Sequence, residues 1–119
     1  MITSPIEIDK YRNLRYDFNA GMDIENIMGV LWGAIPLIAA KGSIKLVVAM
    51  LWAGLKWEDE SLTMKDAADL ATFWCEKSGG KFGDLNDVLI TAIIEAGLLN
   101  EPNDSVGAGQ GEVTSASKK

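Results

Sequence analysis

The stretch LVVAMLWAGLKWEDESLTMKD, Leu46 to Asp66, decides how this chain folds. Its first ten residues, Leu46 to Leu55, carry no charge, so a helix here is apolar nearly all round and belongs at the centre of a small bundle. Lys56 falls in the last turn, where a cation suits the carbonyl end of the helix dipole. Glu58, Asp59 and Glu60 are too acidic to stay buried and mark the turn. Thr63 then caps a second helix by accepting from the Asp66 amide, with the Asp66 carboxylate reaching back to complete a short capping box.

Towards the C-terminus, Ala67, Leu70, Ala71 and Trp74 form one stripe, with Lys65, Asp66, Asp69 and Glu76 facing out, and Ser78-Gly79-Gly80 stops the helix. Asp84 is expected to cap the next helix. Leu85, Val88, Leu89, Ala92, Ile93 and Ala96 follow a period of 3.6, and Gly97 stands where a left-handed terminal residue belongs. From Asn100 the composition turns to Gly, Ser, Asn, Asp and Gln, which predicts a disordered tail or linker over 100–119 after a domain over 1–99.

Towards the N-terminus, Ser43 is an N-cap for the central helix, and Ile24, Ile27, Met28, Leu31 and Trp32 make an amphipathic face. Pro36 is expected to kink or end that helix, with Leu37 to Ala40 as a further turn closed by Lys41 and Gly42. Ile27 to Leu55 invites a membrane reading, but Ile27 to Ala40 covers only roughly 21 Å against a hydrocarbon core of about 30 Å. Lys41 and Lys45 interrupt the join. Met28, Leu31, Trp32, Leu37 and Ile38 exceed what the helical stripes require, and so form a candidate partner-binding surface, with burial in the core as the competing reading.

Before this, Met1 to Pro5 read as a frayed terminus. Ile6 and Ile8 alternate with Glu7 and Asp9, and Leu14, Tyr16 and Phe18 with Arg15 and Asp17, the period of two half-buried strands. Asp9 to Asn13 would be the hairpin loop, longer than a tight turn. Asn19, Ala20 and Gly21 break the second strand, and Asp23 offers the next N-cap. The expected fold is therefore mainly α: four to five short helices in a small bundle behind an N-terminal β-hairpin.

Two motifs resemble those of a known family. Leu14-Arg15-Tyr16-Asp17-Phe18-Asn19-Ala20 is similar to its Leu-(Lys/Arg)-(Tyr/Phe)-(Asp/Glu)-Phe-Asn-Ala motif, and MLWAGLKWEDESLT, Met50 to Thr63, is similar to its small-aromatic-Ala-Gly-Leu-Lys segment followed by acids and Leu-Thr. The matching positions are Tyr16, Phe18, Asn19, Trp52, Gly54, Leu55, Lys56, Asp59, Leu62 and Thr63. The family is the tail assembly chaperones of long-tailed, non-contractile (siphovirus-type) bacteriophages, and the likeness spans roughly Leu14 to Leu99. It implies a non-enzymatic protein that coats the tape measure protein in the cytoplasm of the infected bacterium and is not in the mature virion; the surplus apolar surface, separately, leads to the expectation of a homo-oligomer. The resemblance further implies a longer, frameshifted form that recruits the tail tube protein. The ending Ser117-Lys118-Lys119 is compatible with a slippery run of codons. Between the motifs, Ile24 to Ala40 is more apolar than the family usually is.

Composition is consistent with that class. With 119 residues, 48% of them hydrophobic, one domain is expected, and a formal charge of -6 argues against a protein that tracks nucleic-acid phosphates. Cys75 stands alone and reads as a small buried hydrophobe, and no signal peptide opens the sequence, so a reducing cytoplasm is expected. With no His, no cysteine pair and no nucleophile elbow, metal, thiol and triad chemistry have no constellation and no cofactor is expected. Gly79, Gly80 and Gly83 around Lys81 miss the phosphate-loop spacing, and Glu58 to Glu60 lacks the alternation of an EF-hand. The remaining alternatives to a chaperone are a structural or adaptor protein of the virion, such as a connector component, and a small membrane-active, holin-like protein.

Overall fold

A computed structural model of the chain describes residues 2–100, and the expected tail lies almost wholly outside them. Two antiparallel strands, β1 (Ser4–Glu7) and β2 (Tyr11–Leu14), precede five helices: α1 (Phe18–Met28), α2 (Ile35–Lys41), α3 (Ile44–Leu55), α4 (Met64–Ser78) and α5 (Phe82–Glu95). A 3-10 turn over Trp32–Ala34 leads into α2. The fold is the expected small, mainly α bundle with an N-terminal hairpin.

Helix α3 is its axis. Ser43 caps it by accepting from the Leu46 amide, and nine of its twelve residues are buried, because α1, β2, α4, α5 and α2 all pack on it. Leu46, Met50, Leu51 and Leu55 are fully enclosed, joined by Ile8, Leu14, Ile24, Ile35, Leu85, Leu89 and Ile93 from the surrounding elements. α4 begins with the predicted capping box: Thr63 Oγ1 accepts from the Asp66 amide at 3.1 Å, and Asp66 accepts from the Thr63 amide at 3.0 Å.

Several boundaries differ from the sequence reading. β1 takes in Ser4 and Pro5, and only Ile8, Asp9 and Lys10 separate the strands, Glu7 facing Tyr11. Arg12 tightens this loop by clamping Asp9 through two nitrogens. The second strand stops before Tyr16, and α1 starts at Phe18 rather than after Asp23, because Asp17 already supplies the cap, its Oδ1 accepting from the Ala20 amide. Phe18 is therefore the first helical residue and 80% exposed, not an inward strand position. Asp23 lies inside α1 and pairs with Lys56 at 2.8 Å.

α1 ends at Gly29, whose φ of 67° closes it, so Leu31 and Trp32 fall outside the helix. Pro36 opens α2 instead of ending α1: in a first turn its missing amide has no partner to lose. Likewise α5 starts at Phe82, and Asp84 acts from within the first turn, accepting from the Lys81 amide at 2.7 Å. Val88 is exposed, since α5 buries a narrower stripe of Leu85, Leu89, Ala92 and Ile93. In α4 only Ala67 is fully buried; Leu70, Ala71 and Trp74 are half-buried, because this helix lies on the outside of the bundle. Cys75 is half-buried as well.

Among the described residues no single helix is long and apolar enough to cross a membrane; α1 and the segment Trp32–Lys41 would pass together only as a pair bent by 76°.

Candidate functional site: an apolar groove along α1

The two sequence motifs meet in space. The Arg15 amide donates to the Gly54 carbonyl at 2.9 Å, and the Tyr16 hydroxyl, wholly enclosed, donates to the Met50 carbonyl at 2.7 Å. Burial pushes the Tyr16 phenol far above its ordinary pKa. The Trp57 indole donates to the Asn13 carbonyl, Glu58 accepts from the Asn13 amide, and Arg12 reaches Asp59 at 3.4 Å. Trp52 donates to the Leu62 carbonyl and carries the Lys56 ammonium over its ring at 4.4 Å. Leu55 and Leu62 are in the core and Thr63 is a cap. The hairpin and the segment that follows it are thus fixed to the end of α3 and to the first half of the α3–α4 turn, while Trp52 and the Thr63 cap hold the other half. Of the motif positions, Phe18 and Asn19 stand apart, exposed on the first turn of α1.

That exposed face borders a groove of about 390 Å³, lined by Phe18, Gly21, Met22 and Glu25 of α1, by Trp32, and by Gly97 and Leu98 after α5. Ala20, Gly21 and Ile24 turn to the core, which sends Phe18 and Met22, one turn apart, to the outside at 80% and 56% exposure. Trp32 forms the far wall and is pinned at both ends. Its indole donates to the Leu98 carbonyl at 2.8 Å, and its amide donates to Glu25 Oε2 at 2.7 Å. Gly21 leaves the floor open, yet a Cβ there would meet Trp32 only at an ordinary 3.8 Å.

Of the five residues singled out from sequence, only Trp32 lines this groove. Met28 and Ile38 pack half-buried against the core, while Leu31 and Leu37 project from the α1–α2 corner and from α2, at 81% and 61% exposure. Met22 is not among the residues singled out from sequence, and Phe18 is named there only as a strand and motif position; a helix started at Asp17 would have put both on the face opposite Ile24. A second groove, of about 420 Å³, runs between α2 and α5, with Pro36, Ala39, Ile90 and Ile94 as walls. Its Asn86 donates to the Ala39 carbonyl and keeps a buried, unpartnered Oδ1. Among the described residues no group of three His, Cys, Asp or Glu is placed to hold a metal ion. No protein-family model, curated protein or solved structure significantly matches the chain.

Proposed function

We propose that this chain is a non-enzymatic tail assembly chaperone of a long-tailed bacteriophage, and that the α1 groove covers an apolar helical stretch of the tape measure protein. The observation that carries the reading is the pair Phe18 and Met22, large apolar side chains left without partners beside an open groove that ends on Trp32. A long helical protein with bare apolar faces aggregates unless a cover presents apolar surface of its own, and two anchors one turn apart suit a helix laid in a groove. Leu31 and Leu37 extend the apolar surface round the α1–α2 corner. The same surface accounts for the proposed homo-oligomer, which the tape measure protein would displace. On this reading the protein works in the cytoplasm of the infected cell and is absent from finished particles, and a longer frameshifted form recruits tail tube protein.

Co-expression with the tape measure protein encoded by the same phage tests the groove. The full chain keeps its partner soluble, and Phe18→Ala with Met22→Lys abolishes co-purification while the melting temperature stays unchanged, since both side chains are exposed. Retained co-purification, or the protein's presence in purified virions, refutes the reading.

A further inference from the structure

Between the hairpin loop and α4 lies a further groove, of about 510 Å³, which shares no lining residue with the α1 groove. Leu62, Leu70 and Phe73 give it an apolar floor, Phe73 being 45% exposed. Its rim is acidic: Asp9, Asp59, Asp66 and Asp69 face one cation, Arg12, three negative charges in excess. Arg12 is already shared between Asp9 at 2.8 Å and Asp59 at 3.4 Å. Lys65, the ammonium that pairs with Asp69, lies out in solvent.

We infer that this groove docks a cationic amphipathic helix of a protein partner, one that lays an apolar residue on Phe73 and Leu70 and carries lysine or arginine on both sides of it. A purely apolar cover would strip water from the carboxylates and return no charge to them, and an acidic one would be repelled. Lysine or arginine makes charge-assisted hydrogen bonds to the same oxygens. Asp66, Asp69, Leu70 and Phe73 fall at i, i+3, i+4 and i+7, so one ridge of α4 presents both charge and floor at the spacing a second helix matches. The inference stands apart from the α1 groove, whose residues lie elsewhere.

Fluorescence anisotropy with the full chain and two labelled peptides decides it. Both peptides share a leucine stripe; one flanks it with lysine and arginine, the other with glutamate. The cationic peptide binds and the acidic one does not. Raising the salt to about 1 M, where the screening length falls to roughly 3 Å, weakens binding by about tenfold. Asp69→Lys and Phe73→Ala each lower affinity by at least about tenfold with an unchanged melting curve, whereas Phe18→Ala does not. Equal binding of the two peptides, or indifference to Asp69→Lys, overturns the inference. A dimer seen by light scattering that Asp69→Lys dissolves overturns it too, because the occupant would then be a second copy of this chain.

Discussion

Gly54 has no room for a side chain. A Cβ there would stand 2.7 Å from both the Cζ and the hydroxyl oxygen of Tyr16, and 2.9 Å from Leu14 Cδ2, so even alanine forces β2 and α3 apart. Both neighbours are buried core residues and neither can swing into solvent. Gly54→Ala is therefore expected to destabilise the fold by about 1 to 3 kcal/mol, read as a lower midpoint in urea with an unchanged slope. The usual gain from replacing a helical glycine by alanine, about 1 kcal/mol, is outweighed by this overlap. Gly80 is similarly tight, against the Trp74 ring at 2.9 Å, but lies outside the core.

At the scale of elements, α4 depends on its start. It is an outer helix with one fully buried residue, so packing holds it less firmly than α3, and the Thr63–Asp66 box carries more of the burden of fixing its first turn. Thr63→Ala should cost about 1 kcal/mol, and the loss should show as faster amide exchange in the first turn of α4 before any change in α3. This cap was legible because its pattern is local: a threonine, an acid three residues on, and an apolar stripe. The central helix was legible for a similar reason, its ten uncharged residues having nowhere to go but the core. What misled were competing local signals. The alternation of Leu14, Tyr16 and Phe18 carries on past the end of β2, masking Asp17 as a cap, and Pro36 looks like a terminator until Gly29 is known to have ended α1 already. The groove depended on that same boundary. Moving the start of α1 from after Asp23 back to Phe18 is what brings Phe18 and Met22 to its lip.

At the scale of the molecule, the hairpin sinks Ile6, Ile8 and Leu14 into the common core and is tied down round its edge by polar contacts: Arg12 to Asp59, Lys77 to the Ile8 carbonyl and to Glu7, and Asn13 to Trp57 and Glu58. The Arg12 guanidinium holds the Asp9 carboxyl down at about 2 in the folded chain, from an ordinary 3.8. A depressed carboxyl contributes stability that is complete above its unfolded pKa and is lost as pH falls through the folded one. Between about pH 4 and pH 2 the clamp should therefore weaken, and Arg12→Gln should flatten that part of the stability profile, measured by urea midpoints at stepped pH. Asp9 is substantially exposed, so the effect is a change of slope rather than a collapse. The bundle beneath is built differently. Contacts that bypass α3 amount mainly to the hairpin with itself, the 3-10 turn with α2, and a small meeting of α4 with α5. A hub of that kind opens in one of two ways: if α3 leaves, its neighbours have little to hold one another, and if it stays, each can loosen alone. Occupation of either groove would therefore be felt at the rim of the molecule and scarcely at its axis, so a partner could come and go many times without the chain passing through an unfolded form.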